Sequence, residues 1–305
     1  MIDSHLMHIE NIVLLATSPG LCHSVQVQRF GTRDATPKVY IQGALHADEV
    51  PAILVTQQLS QRLTQLEQEG AIVGEVVLVP FANPIGLAQH SLGQHQGRFD
   101  FRDGLNFNRG HADLVPAVVD ALRDSLTPDA TVNTRLIRSA LKAAADVLPA
   151  SSTTQDLKNQ LLRLAVDADI VLDLHCDTDA VMHVYALTPQ AATAEVLGAT
   201  LGAQAVLLAT ESGDAPFDES CTRPWYQLQQ LLPQFPIDLA CFGATIELRG
   251  EADTQHALAA QDASGICTFL AQQGALKSLP VAVPDPLCVP TPLSGSEPIT
   301  APHAG

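Results

Sequence analysis

Four short stretches of this sequence hold side chains whose types and spacing could do chemistry. In Gly43-Ala44-Leu45-His46-Ala47-Asp48-Glu49, a His and a Glu stand three positions apart where an apolar run gives way to a helical pattern. Such an i, i+3 pair at a strand-to-helix junction can aim imidazole and carboxylate at one point. These are the ligand types of a catalytic zinc, commonly two His and one Glu with an open water position. The same residues would also suit a plain helix N-terminus, where Asp48 and Glu49 favour the helix dipole. Asp173-Leu174-His175-Cys176-Asp177 ends a second apolar run, and the carboxyl edge of an α/β sheet is where ligands bind. On a continuing strand Cys176 points away from His175 and reads as packing rather than as a ligand.

The third stretch, Gly97 to Arg109, gathers Arg98, Arg102 and Arg109 with Asn106 and Asn108. Arginine's planar fork binds carboxylates bidentately, and Asn both donates and accepts. The stretch could recognise an anion, or its arginines could pair with Asp100, Asp103 and Asp113. The fourth is Thr245-Ile246-Glu247-Leu248-Arg249-Gly250, which places Glu247 inside an apolar run. A buried carboxylate is costly, and burial raises its pKa toward the range useful to a general base. The alternative is a Glu247–Arg249 pair on one strand face.

Elements of an α/β protein must position these groups. Lys38–Gln42, Glu75–Phe81, Asp169–Leu174, Ala205–Ala209 and Ala244–Leu248 read as strands covered on both faces. Val55, Leu59, Leu63 and Leu66 keep helical spacing behind Pro51, a residue tolerated in a first helical turn. Further helical stretches are expected over about 113–124, 133–147, 155–166, 191–202 and 254–272. Residues 86–110 keep no sustained period and read as a long ordered loop. From Leu279 onward proline is dense, as in a linker or an extended tail.

The 305 residues carry a net charge of −17, 46% hydrophobic and 16% charged residues. That describes a globular chain with no basic patch for nucleic acid or an anionic membrane surface. Six cysteines without a CxxC pair exclude a zinc ribbon and disfavour a disulfide scaffold. The opening Met1-Ile2-Asp3-Ser4-His5 shows no signal-peptide pattern, and no apolar run approaches the ~20 residues of a membrane span. The expectation is a cytoplasmic protein. Serine-hydrolase and nucleotide-binding readings lack support, since neither Gly-x-Ser-x-Gly nor Gly-x-x-x-x-Gly-Lys occurs.

Taken in order, His46-x-x-Glu49, Asn83-Pro84, Arg98, Asn108-Arg109, His175 and Glu247 resemble the succinylglutamate desuccinylase/aspartoacylase family, a branch of the zinc carboxypeptidase fold. The resemblance spans roughly residues 35–275. It implies a three-layer α/β sandwich with a mixed, mostly parallel central sheet. It implies one Zn2+ held by His46, Glu49 and His175, with Glu247 as general base and proton shuttle. Asn108 and Arg109 would bind the substrate carboxylate and Arg98 would polarise the scissile carbonyl, with Arg102 as a rival for that role. The substrate would be a small carboxylate-bearing molecule, and the reaction amide hydrolysis by a metal-activated water. A metallocarboxypeptidase acting on peptides and an inactive metal-binding homologue are the alternatives.

Three features depart from the family. Ala47 stands where Gly is usual, and residues 113–166 form a largely helical insertion in a hydrolase domain of residues 1–278. Residues 279–305 resemble a linker into a small β-rich domain that is then cut short or lacking.

Overall fold

The computed structural model describes residues 8–277, 282–297 and 299. Its centre is a nine-stranded sheet. The strands are β1 His8–Val13, β2 Ser24–Gly31, β3 Lys38–Gly43, β4 Glu75–Val79, β7 Ile170–Asp177, β8 Met182–Leu187, β9 Ala205–Ala209, β10 Phe242–Gly250 and β11 Thr291–Pro292. A separate hairpin pairs β5 His90–Ser91 with β6 Gln94–His95. The order across the sheet is β1-β2-β4-β3-β7-β10-β8-β9-β11. Pairing is parallel at β4-β3-β7-β10 and β8-β9-β11, and antiparallel at β1-β2, β2-β4 and β10-β8.

Alternation along the central strands explains the layers. Leu172, Leu174 and Cys176 of β7 and Ala244, Ile246 and Leu248 of β10 face one core. There they meet α1 Val50–Gln68, α6 Ala191–Leu201 and α8 His256–Gln272 through Leu59, Leu63, Leu197 and Ile266. The other face packs on α3 Val115–Ser125, α4 Ala130–Asp146, α5 Thr153–Ala165 and α7 Phe217–Leu231 through Leu122, Ile137, Leu161 and Trp225. The result is a three-layer α/β sandwich with a mostly parallel sheet. Among the described residues no helix is long and apolar enough to cross a membrane.

The expected strands and helices are present with boundaries shifted by a few residues. Elements with weaker patterns are additional: β1, β2, β8, and α7, which continues through an internal Pro224. Residues 86–110 contain the end of a one-turn helix, α2 Pro84–Leu87, and the β5–β6 hairpin. In the Pro-rich tail β11 pairs in parallel with β9, while 278–281, 298 and 300–305 lie outside the described residues.

One expected pairing is replaced. Arg249 takes the left-handed conformation (φ 68°), and the β10–β7 register shifts between Glu247 and Gly250. The bulge breaks the strand alternation that a Glu247–Arg249 pair requires. Arg249 turns instead to Asp262 of α8, at 2.5 Å, and leaves Glu247 to the other face. Asp262→Asn should therefore lower stability by about 1–3 kcal/mol, because a guanidinium loses its carboxylate. Urea denaturation measures this; an unchanged midpoint would show that the pair contributes nothing.

Candidate metal centre and substrate cleft

Three parallel neighbours, β3, β7 and β10, end side by side and present their carboxyl ends to one cleft. At the end of β3 the chain passes through Ala44 in the left-handed region (φ 61°) and turns into α1. Glu49 is the N-cap residue of α1, yet its side chain makes no capping bond. It reaches instead between two imidazoles: Glu49 Oε1 lies 2.9 Å from His46 Nδ1, and Oε2 lies 2.8 Å from His175 Nδ1. The backbone N–H of Cys176 also donates to Oε2, at 3.0 Å. All three side chains are buried, and one ligand atom from each lies within 4.8 Å of the others. Cys176 itself packs in the core on the opposite face.

The outer ring nitrogens have partners of their own. His46 Nε2 lies 2.8 Å from Asn106 Oδ1, and His175 Nε2 lies within ion-pair distance of Asp173 Oδ2, at 3.1 Å, an oxygen with no hydrogen bond of its own. Asp173 and His175 share a face because they are two apart on β7. Gln42 donates to Asp173 Oδ1 at 2.9 Å, and Tyr40 donates its hydroxyl to Gln42 at 2.7 Å. This buried chain stands behind His175, as Asn106 stands behind His46, and each ring keeps Nδ1 facing inward, an arrangement typical of the groups behind metal ligands. Burial opposes Glu49's charge, but His175 and His46 outweigh it and hold its carboxyl well below the usual range. Burial would lower His175, yet Asp173 and Glu49 on either side hold it well above the ordinary imidazole value. A divalent cation at the same point would take over the role of that proton. Two Nδ1 atoms and one carboxylate, each backed by a second partner, fit a divalent metal ion.

Glu247 stands beside His175 in the β10–β7 register. Its Oε2 is buried without a partner. Burial pushes its pKa up to about 7, against the pull of His175 and with Glu49, Asp177 and Asp173 adding to the rise.

The arginine loop closes on itself: Phe107 donates its N–H to the Arg98 carbonyl and Asp100 to that of Leu105. Closure brings Arg98 beside Arg109 despite the intervening chain. Gly97 has no room for a side chain, since a Cβ there would stand 2.2 Å from the backbone N of Asp48. Asp48 accepts the Gly97 N–H at 2.8 Å, so it serves the loop rather than capping α1. Asn83 caps α2 and donates to the Leu45 carbonyl at 2.9 Å. From α5, Lys158 donates to the carbonyls of Asn106 (2.9 Å) and Arg109 (2.7 Å), so this helix holds the loop in place.

The loop's side chains divide. Arg98 lines the cleft and reaches Glu49 Oε1 at 3.1 Å. Arg109 lines it too, with Nη1 bonded to the Asn108 carbonyl. Asn108 lines the cleft as well: Oδ1 accepts the Phe217 N–H at 2.9 Å, and Nδ2 lies 3.2 Å from His175 Nε2. Arg102 is not in the cleft; it pairs with Asp100 at 2.9 Å and leans on Thr153 and Thr154. Of the three arginines, only Arg102 pairs with a nearby aspartate in the expected manner. The cleft, of about 290 Å³, also takes in Tyr185, Leu207, Asp218, Glu219 and Leu293, none of which the sequence singled out. Asp173 and Asn106 were within reach of sequence reasoning, through the strand period and the quoted motif. Tyr185, Asp218 and Glu219 lie on elements whose patterns were too weak to read.

With this geometry in view, the comparison with known proteins is direct. The sequence matches the succinylglutamate desuccinylase/aspartoacylase catalytic domain over residues 35–272. The chain belongs to that family. Its structure is similar to a candidate succinylglutamate desuccinylase/aspartoacylase from Shewanella frigidimarina NCIMB 400, at 26% identity and a TM-score of 0.82, covering 98% of this chain and 80% of that one. A family protein from Shewanella amazonensis SB2B is comparable, at 28% identity and a TM-score of 0.81 over the same shares. A candidate metallopeptidase from Shewanella amazonensis SB2B shares the fold, at 16% identity, a TM-score of 0.53 and coverage of 87% and 86%. No curated protein matches the chain.

Asp173→Asn keeps the shape of the buried chain but removes the charge behind His175. It should weaken metal affinity about 10–100-fold, measured by competition with a chelator. Unchanged affinity would mean that Asp173 does not orient the ligand.

Proposed function

We propose that this chain is a zinc-dependent amidohydrolase that removes the acyl group from an N-acyl amino acid or a similar small carboxylate-bearing amide. The observation that carries the reading is the convergence of His46, Glu49 and His175 beside Glu247, whose carboxylate oxygen is buried with no partner. His46, Glu49 and His175 would hold one zinc. Bound there, zinc would supply Lewis acidity, which lowers the pKa of water from ~15.7 toward ~7. We place the enzyme in the cytoplasm, in keeping with six free cysteines.

Each residue has a task in this reading. Glu247 accepts the proton of the attacking water and passes it to the amide nitrogen as the C–N bond breaks, giving a carboxylic acid and a free amine. Arg98 donates to the carbonyl oxygen as negative charge grows on it. Arg109 anchors the substrate carboxylate. Asn108 accepts the Phe217 N–H through Oδ1, which holds the start of α7, and from the cleft lining joins Arg109 in binding the substrate carboxylate. Arg98 is preferred to Arg102 because Arg102 is bound to Asp100 outside the cleft. The small size of the cleft favours a small amide over a peptide.

Assay of N-acyl amino acids against N-blocked dipeptides tests the reaction class. Release from acyl amino acids is expected, and release from peptides alone would establish a carboxypeptidase instead. Arg109→Ala should mainly raise KM for carboxylate-bearing substrates, and Arg98→Ala should mainly lower kcat. The reverse pattern would exchange their roles.

Glu247→Gln should cost about 10²–10⁴ in kcat with metal content retained. Glu247 must be ionised to accept a proton, so wild-type kcat/KM should decline on the acid side as this carboxyl protonates; burial raises it to about 7 in the metal-free site, and a bound cation sets the limb of the loaded enzyme below that. A raised carboxyl pKa also means that folding is opposed as pH rises through the interval from the free value to the folded one. The glutamine variant should therefore be at least as stable as wild type above pH 7. An active but less stable variant would assign Glu247 a structural role.

A further inference from the structure

The first turn of α7 puts two carboxylates, Asp218 and Glu219, into the cleft wall. They are 6% and 8% exposed. Among the described residues neither lies within ion-pair distance of a Lys, Arg or His. Glu219 Oε1 accepts the Ser212 N–H at 2.7 Å, which ties down the loop before the helix. Glu219 Oε2 is buried with nothing bound to it. A helix N-terminus tolerates acids through its dipole. The dipole does not account for a carboxylate oxygen left unpartnered in the wall of a substrate cleft, where desolvation is costly. Asp218 has no ion-pair partner either: burial, with Glu219 and Asp173 close by, pushes its carboxyl up to about 7 against the pull of His175. Among the described residues the cluster of three potential metal ligands is His46, Glu49 and His175, and the acid pair is not part of it.

We propose that Asp218 and Glu219 form a cation subsite that receives a primary ammonium group on the amine half of the substrate. The substrate is then an N-acylated amino acid carrying a second, positively charged amino group. The inference rests on the amidohydrolase reading of the same cleft and names its substrate class. Hydrogen bonds from backbone N–H groups set the spacing. Gly110 N donates to Asp214 O at 2.7 Å, His111 N to Ala215 O at 3.2 Å, and Phe217 N to Asn108 Oδ1 at 2.9 Å. The start of α7 is thereby fastened to the Asn108-Arg109 segment. Arg109, Asp218 and Glu219 all line the same cleft, a guanidinium for a carboxylate and an acid pair for an ammonium. A chain of net charge −17 also draws cations toward it.

The test uses the metal-loaded enzyme and calorimetric titration with three free amino acids of similar length: ornithine, norvaline and glutamate. Ornithine should bind at least 10-fold more tightly than norvaline, and glutamate most weakly. Asp218→Asn and Glu219→Gln should each bring ornithine toward the norvaline level with zinc content unchanged. Equal binding of the three, a preference for glutamate, or a preference for ornithine that survives both substitutions would overturn the subsite. The wild-type comparison needs no variant to fold. Hydrolysis of the matching Nα-acyl derivatives is read separately. If none is cleaved while ornithine keeps its selective site, the hydrolase reading fails and the subsite stands. Cleavage of the norvaline and glutamate derivatives in preference to that of ornithine keeps the hydrolase and removes the subsite.

Discussion

Glu49 carries its carboxylate into the protein where three parallel strands end, and an ion buried so far from water must be matched or must give up its charge. His46 and His175 match it from opposite sides, each through Nδ1. Each ring is then committed to a partner at its far nitrogen, Asn106 for one and Asp173 for the other. Asp173 is in turn held by Gln42, and Gln42 by Tyr40, so the demand made by one carboxylate is passed through the sheet from β7 to β3. The adjacency of those strands allows it. Gln42 and Asp173 are register partners, and Thr245 and Glu247 continue the same rows on β10.

The same demand organises the loops. Asn106 faces His46 because the 98–107 loop is closed by backbone bonds and because Lys158 grips its carbonyls from α5. Lys158 is itself almost buried, which lowers its pKa, and its donors are spent on carbonyls rather than on water. The helices over 115–165 thus form most of one layer and also support the wall on which Arg98 and Arg109 stand. The tail contributes too: β11 extends the sheet beside β9, and Leu293 just beyond it borders the cleft.

Much of the site was legible because its residues sit at the ends of the most hydrophobic strands. Lys38–Gly43, Ile170–Asp177 and Phe242–Gly250 carry the Val, Ile and Leu of strands that are buried almost throughout, and a His or Glu at such a place stands out. Asp173 was equally legible by its spacing from His175. Asp218, Glu219 and Tyr185 were not. They lie on α7, whose Pro224 interrupts the helical pattern, and on β8, a strand not distinguished from its surroundings. The direction of Arg249 was illegible for another reason: the period of two assigns it to Glu247's face, and only the bulge at φ 68° turns it toward Asp262. Side-chain destinations within a long loop were likewise beyond composition, which could not divide Arg98 and Arg109 from Arg102.

The central claim is that two imidazoles and one carboxylate at these strand ends hold a catalytic zinc. Elemental analysis of the purified protein, wild type beside His46→Ala and His175→Ala, tests it most directly. The expected result is one zinc per wild-type chain and loss of stoichiometric zinc in both variants, since two remaining protein ligands rarely retain a catalytic ion. A wild-type protein that takes up no zinc when supplied with it, or either variant with full occupancy, would contradict the claim.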